Sequence, residues 1–170
     1  MKYAKIEKNS IANGPGVRVV IWCQGCSIHC PGCHNKCTWD PNDGKYITQH
    51  DIIDIFEELK KPWVKGITFS GGHPLEDYNI EGVIELASNI KEKFPEKDIW
   101  LYTGLKLHLD DFNNDSSLST CLKLCDVIVD GPYIQEQRNI NLPYRGSNNQ
   151  RLIDINETLK NNKIILYEGY

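Results

Sequence analysis

Residues 17–37 read VRVVIWCQGCSIHCPGCHNKC, an apolar run that passes directly into a cluster of five cysteines. Val17–Trp22 is β-branched and apolar, the composition of a buried strand. The cysteines therefore lie where that strand ends. Outward from this point, strand and helix patterns alternate. Thr48 and Asp51 form a capping-box-like pair, and Ile52, Ile53, Phe56 and Leu59 then recur at helical spacing. Gly66–Ser70 reads as a second strand ending in Gly71-Gly72. Ile80–Phe94 reads as a helix with Val83, Ile84, Leu86, Ala87 and Ile90 on its buried face. Asp98–Tyr102 is a third strand, closed by Thr103-Gly104, and Asp126–Val129 a fourth, closed by Gly131-Pro132. Weaker helical patterns cover Leu105–Phe112 and Leu118–Leu124, with a polar connection at Asn113–Ser119. Leu152–Ile155 and Ile164–Tyr167 are expected as strands near the C-terminus.

Alternation of this kind predicts right-handed βαβ units and a mainly parallel sheet, an α/β fold in a single domain over residues 1–170. Ligands of such sheets bind at the C-terminal ends of the strands. The cysteines, Gly71-Gly72, Thr103-Gly104 and Asp130-Gly131 all fall there, so four strand ends are expected on one face.

Composition narrows the function. The 170 residues suffice for one domain with a core, and 40% hydrophobic with 25% charged residues is ordinary for a soluble globular protein. No stretch is long and apolar enough to span a membrane, and MKYAKIEKNS lacks the apolar segment of a secretory signal, so a cytoplasmic protein is expected. The net charge of −4 is mild and the signs are interspersed. No basic stripe points to nucleic acid and no cationic amphipathic segment to a membrane surface.

Seven cysteines is a high count, and in a chain with no export signal it points to metal or redox chemistry rather than a disulfide framework. Cys26, Cys30 and Cys33 follow a C-x3-C-x2-C spacing. A cubic 4Fe–4S cluster normally takes four thiolates, one per iron. Three would leave the fourth iron open to a small molecule. Gly25, Pro31 and Gly32 suit a tight loop around such a group. The competing reading is a Cys3His zinc site using His29 or His34. Zinc sites usually pair two distant ligand hairpins, and no second pair stands at such a distance, which favours iron–sulfur. Cys23-x2-Cys26 is a poor thioredoxin-like motif, because Cys23 ends a strand where that motif opens a helix. Cys23, Cys121 and Cys125 read as buried thiols, and Cys37 has no assigned role.

Taken with the Gly71-Gly72-His73-Pro74 loop, the cysteine spacing resembles the radical S-adenosylmethionine superfamily. Within it the chain is similar to the small glycyl-radical activases of anaerobic ribonucleoside-triphosphate reductase. The stretches that carry the narrower likeness are Asn13–Gly16, Asp98–Gly104, Asp126–Gly131 and Arg145–Arg151. The resemblance runs from about residue 3 to 151. It implies a partial (β/α) barrel of radical SAM type, with Cys26, Cys30 and Cys33 holding a 4Fe–4S cluster. It places S-adenosylmethionine on the fourth iron, with Gly71 and Gly72 at its methionine end and Gly32, Cys33 and His34 toward its adenosyl part. It implies a flavodoxin-type one-electron donor. A 5′-deoxyadenosyl radical would then take hydrogen from a glycine of the large reductase. Two positions depart from the usual pattern: His73 stands where an acid is common, and His34 where tyrosine is common. Other readings are a radical enzyme with a small-molecule substrate, such as 7-carboxy-7-deazaguanine synthase, an activase of a different glycyl-radical enzyme, or a non-enzymatic zinc-binding module.

No Ser-His-Asp or paired-carboxylate constellation stands out, as expected where a cofactor carries the reaction. Gly14-Pro15-Gly16 reads equally as a plain turn or as part of a site. His29, His50 and His108 read as surface residues, and Asp126 as a polar residue at a strand start. Asp130 is placed at a strand end, facing the site. Arg145 and Arg151 belong to a polar loop that either is solvated or meets the reductase or cofactor. Trp22, Trp100 and Tyr102 read as core.

Overall fold

In the computed structural model, residues 1–169 are described. In chain order the elements are β1 (Lys2–Ser10), β2 (Val17–Cys23), β3 (Lys45–Tyr46), α1 (Gln49–Leu59), β4 (Val64–Gly71), α2 (Asp77–Lys93), β5 (Asp98–Tyr102), α3 (Ser117–Leu124), β6 (Val127–Asp130), β7 (Arg151–Asp154) and α4 (Ile155–Asn161). The strands form one seven-stranded mixed sheet in the order β3-β1-β2-β4-β5-β6-β7. Its centre, β2-β4-β5-β6, is parallel, while β1, β3 and β7 pair antiparallel at the two sides. The α/β class with a parallel centre is as expected from the sequence, and the antiparallel margins are a refinement of it.

Alternation along each strand sorts side chains onto two faces. Val19, Ile21, Phe69, Ile99, Leu101 and Ile128 face the helices and join Ile55 and Leu59 of α1, Val83, Leu86 and Ile90 of α2, and Leu122 of α3. Each such apolar side chain removed from water contributes about 1.5–3 kcal/mol. The opposite face carries Trp100, Val127, Val129 and Leu152, covered by Tyr102, Tyr144 and Tyr167. Arg18 of β2 is fully buried on this second face. Its Nε donates to Thr68 Oγ1 (2.8 Å), Nη1 to the Pro15 carbonyl (3.2 Å) and Nη2 to the Ile67 carbonyl (2.9 Å). The guanidinium also pairs with Asp98 and lies 5.4 Å from the Trp100 ring centroid. Thr68 in turn donates to the Asn13 carbonyl at 2.8 Å. Arg18 and Thr68 thereby pin the Asn13–Gly16 turn to the sheet.

The expected capping box opens α1: Thr48 Oγ1 accepts from Asp51 N and the Asp51 carboxylate accepts from Thr48 N. α2 runs 17 residues, with Ile80, Val83, Leu86, Ala87 and Ile90 buried and Lys91 and Lys93 in the last turn, where the helix dipole favours cations. Several expectations are corrected. Leu105–Phe112 is not a helix but an irregular segment with one 3-10 turn at Leu109–Phe112. Ile164–Tyr167 is not a strand: it makes a single bridge, Ile153 to Leu166. Ile155 leaves the strand and opens α4, because the Asp154 carboxylate accepts from Glu157 N and caps a helix there. β1 and β3 were not expected at all. Lys2 and Tyr3 of β1 pair with β3, and the outer edge from Ala4 to Ser10 has no strand partner among the described residues. Among the described residues no helix is long and apolar enough to cross a membrane.

Candidate functional site

Because β2, β4, β5 and β6 run parallel, the loops that follow them emerge at one edge of the sheet. Cys23 and Gly71 are register partners at the ends of β2 and β4. Past that point the two loops stay joined through their backbones: Gly72 N donates to the Cys23 carbonyl (2.7 Å) and His73 N to the Gly25 carbonyl (2.8 Å). Gly71 has φ +93°, which only glycine adopts freely. At Gly72 the reason is space: a Cβ would run into the Gly25 carbonyl and lie 2.9 Å from Thr38 O and 3.0 Å from Cys23 O. The loop after β2 folds back on itself, with Gly25 N donating to Thr38 O (2.8 Å) and Cys26 N to Trp39 O (3.1 Å). Gln24, buried, donates to the Asp40 carbonyl at 2.8 Å, and Asn79 of α2 donates to the Gln24 carbonyl at 2.8 Å.

Cys26, Cys30 and Cys33 are all free thiols of intermediate exposure on this loop, while Cys37 is exposed and Cys23, Cys121 and Cys125 are buried. Cys33 N donates to the Cys30 carbonyl (3.1 Å) across a turn in which Gly32 takes φ +76°. Asn35 links the last cysteine to the glycine loop: its backbone N–H donates to Cys33 Sγ (3.4 Å) and its side-chain amide to the Gly71 carbonyl (3.3 Å). Burial raises the Cys26 thiol, against backbone hydrogen bonds from His29 and Ile28 that lower it. A ligand thiol must be deprotonated, so metal binding at Cys26 releases a proton. Among the described residues no three His, Cys, Asp or Glu side chains gather on one point as ligands of a single ion would. A cubane asks something different of its cysteines, since each binds a separate iron.

Beside the cysteine loop lies a cleft of about 140 Å³, lined by Gly71, Gly72, Thr103, Gly104 and Gly131 together with Trp22, Tyr102, Tyr133, His34 and Asn35. A second hollow of about 350 Å³ shares Asn13, Trp22, His34 and Tyr102 with it and extends to Tyr144 and Arg145. The structure thus brings Gly71, Gly72 and His34 together, with Cys33 joined to them through Asn35. Gly32 opens onto a neighbouring hollow with His34, Tyr133 and Arg138. Asn13, in the turn pinned by Arg18, lines the cleft, so that turn belongs to the site. Trp22 and Tyr102, read from sequence as core, are half-buried cleft walls. Asp130, by contrast, does not face the site. It is buried and accepts from Leu107 N (2.9 Å) and from Arg151, which raises the guanidinium's pKa. That pair ties β6 to β7.

His73 is buried, with Nδ1 3.2 Å from Glu76 Oε1 and Nε2 2.9 Å from Thr103 Oγ1. Burial lowers its imidazole pKa, although Glu76 pulls the other way. Burial alone would raise the Glu76 carboxyl, but hydrogen bonds from Ser27 and the nearby His73 outweigh it and hold the acid below its ordinary value. His29 is exposed, as expected, and stacks on Trp39 with ring centroids 4.4 Å apart. Asn35, Asn79, Glu76 and Ser27 escaped sequence reasoning. Single polar residues in loops carry no periodic signal, and only Ser27, flanked by a candidate ligand, had a position that pointed to a role.

A profile of the family described as "4Fe-4S single cluster domain" matches residues 12–153. Among curated relatives, the anaerobic ribonucleoside-triphosphate reductase-activating protein of Enterobacteria phage T4 is 40% identical over 156 residues, covering 89% of this chain and 93% of its own length. Its counterpart from Vibrio cholerae is 39% identical over 153 residues, covering 88% of this chain and 96% of its own. The Escherichia coli K12 protein is 38% identical over 152 residues with the same coverage.

Proposed function

The chain belongs to the 4Fe-4S single cluster domain family and, within it, to the anaerobic ribonucleoside-triphosphate reductase-activating proteins, and from that premise we propose how its residues do the work. It is an enzyme that activates the anaerobic reductase. Cys26, Cys30 and Cys33 hold the 4Fe–4S cluster, and S-adenosylmethionine lies along the Gly71-Gly72 turn in the cleft. When bound, the cluster would supply one electron to split S-adenosylmethionine into methionine and a 5′-deoxyadenosyl radical, which would take a hydrogen atom from a glycine of the reductase and leave a glycyl radical there. The domain is read as a partial barrel of radical SAM type spanning residues 1–170, and the electron comes from an external donor of flavodoxin type.

The observation that carries this reading is the joining of two loops. Three free, half-buried thiols sit on a loop whose backbone is hydrogen-bonded to a Gly-Gly turn with no room for a side chain. The donor set fits a cluster with one open iron, because three thiolates bind three irons and leave the fourth for a small molecule. Each residue then has a physical task. Gly71 and Gly72 let backbone groups approach the methionine end of the cofactor closely. Trp22, Tyr102 and Tyr133 line the cleft and would shield a bound cofactor on that side. His34, exposed and lining the cleft, would meet the adenosyl part. No side chain is required as a general acid or base, since the transfer is of a hydrogen atom.

Anaerobic reconstitution with iron and sulfide is expected to give about four irons per chain. Adding reductant, S-adenosylmethionine and the reductase should give 5′-deoxyadenosine and a glycyl-radical signal in electron paramagnetic resonance. Exchange of Cys26, Cys30 or Cys33 for alanine should abolish both, while Cys37→Ala keeps them. A colourless protein with one zinc, or a brown protein that never cleaves S-adenosylmethionine, overturns the proposal.

A further inference from the structure

Ser27 directly follows Cys26, and both of its polar hydrogens go to one atom. Its backbone N–H and its hydroxyl each donate to Glu76 Oε1 at 2.7 Å. Glu76 is the residue that opens α2, with an extended backbone and no hydrogen bond from its side chain to the helix. An N-cap side chain ordinarily accepts from the first turn of its own helix. Here the helix start is served by the Glu76 carbonyl, which accepts from Asn79 N (2.8 Å) and Ile80 N (2.9 Å). The carboxylate is turned away toward the cysteine loop. The same oxygen meets His73 Nδ1, and the far side of that ring meets Thr103 at the end of β5. Thr103 Oγ1 also accepts from Leu105 N at 3.1 Å. Loops from three neighbouring strands are therefore tied through one carboxylate and one imidazole.

Resting on the reading of Cys26, Cys30 and Cys33 as cluster ligands, we propose that Glu76 is a positioning residue for the iron–sulfur site, fixing the Cys26 end of the ligand loop through Ser27. Outer partners that orient metal ligands commonly change metal affinity or activity by about 10- to 100-fold when removed. A carboxylate that accepts two hydrogen bonds from the residue beside a ligand is such a partner. His73 sets the carboxylate's direction by bridging it to β5.

The test uses the full chain, reconstituted anaerobically. Glu76→Ala removes the acceptor, and Glu76→Gln keeps a carbonyl oxygen for Ser27. Each variant is first checked for folding by circular dichroism. Iron release to a ferrous chelator is then timed, and the spectrum of the reduced cluster is recorded with and without S-adenosylmethionine. Glu76→Ala should release iron about 10- to 100-fold faster than the parent and give a broadened spectrum, with Glu76→Gln restoring most of both. A folded Glu76→Ala chain that holds iron as long as the parent, with the parent's spectrum, overturns the proposal, and so does a glutamine variant as impaired as alanine. If Glu76→Ala does not fold, Ser27→Ala replaces it under the same criteria: faster iron loss supports the proposal and parental iron loss overturns it. A parent chain that takes up no cluster fails the proposed function itself, visibly before any variant is made, and takes this inference with it.

Discussion

Replacing Arg18 by methionine should cost this fold more than any other single surface-distant polar change described above. The guanidinium serves Thr68, the Pro15 and Ile67 carbonyls and Asp98, and it is fully buried. Methionine fills a similar volume but leaves the Pro15, Ile67 and Asp98 carbonyls without that donor and the Asp98 carboxylate without its ion-pair partner. Breaking one side of a buried ion pair costs about 3–5 kcal/mol. The Asp98 side chain retains 22% exposure and recovers some hydration, which places the loss near the lower end, about 3 kcal/mol. That is a change of roughly 100-fold or more in the folded-to-unfolded ratio, against a total domain stability of about 5–15 kcal/mol. Urea unfolding of the metal-free chain under reductant measures it. With a slope of about 1–3 kcal/mol/M, the midpoint should fall by about 1–3 M while the slope stays constant. Because Arg18 also holds the Asn13–Gly16 turn, which lines the cleft, the proposed function predicts weaker S-adenosylmethionine binding by the folded, cluster-loaded variant. Asp98→Asn added to Arg18→Met should destabilise less than the two single losses summed, since the stranded charge is gone. A single-variant loss under about 1 kcal/mol would refute the reasoning, because it would mean the guanidinium's desolvation already cancels what it bonds to.

Three further outcomes are expected. Gly72→Ala should lose about 1–3 kcal/mol and fail to retain iron, because its Cβ is driven into backbone carbonyls of the cysteine loop; parental melting and iron content would contradict the packing of the two loops. Alkylation of the folded, reduced, metal-free chain should mark Cys26, Cys30, Cys33 and Cys37, leaving Cys23, Cys121 and Cys125 until denaturant is added. Burial pushes Cys23 and Cys121 up to about 12 and raises Cys125 strongly, so little thiolate is present there to react, and mass spectrometry of the labelled peptides decides it. The metal-free chain should lose stability as pH falls below 6.5, the ordinary histidine value. Burial keeps the folded His73 ring neutral where the unfolded ring takes a proton, so the unfolded state binds more protons and stability is complete only above that pH. His73→Gln should flatten this slope in urea midpoints compared at about pH 7.5 and about pH 5.5.

Much of this architecture is written in local composition. β2, β4, β5 and β6 are short apolar runs, the first passing into the cysteine loop and the others into Gly71-Gly72, Thr103-Gly104 and Gly131-Pro132, and α2 repeats its apolar residues at helical spacing, so their alternation points to a parallel centre. β1 escaped for a specific reason. Its pairing with β2 shifts register between Tyr3 and Lys5 and again between Glu7 and Ser10. Each shift resets the alternation of faces, and the nine residues Lys2–Ser10 then show no period of two. α4 was hidden by its length, with only Ile155 and Thr158 buried, although the Asp154–Glu157 spacing is a capping signal. At the site, the cysteine spacing and the glycine pair were readable because each is a chemical motif compressed into a few residues. The Ser27–Glu76–His73–Thr103 network spans three loops, and its members become neighbours only once the parallel strands align.

The open outer edge of β1 bears on how the protein behaves when concentrated. Unpaired strand edges invite a second molecule to add its own strand, the first step of sheet-like aggregation. This edge carries Lys5, Glu7 and Lys8, with Lys5 bonded to Glu7 and Lys8 to Asp54 of α1, each at 3.1 Å. An incoming strand would have to displace those ion pairs and follow two kinks in the backbone. The margin of the sheet therefore ends itself, and neutralising Lys5 and Lys8 is the change that would let copies of the chain stack.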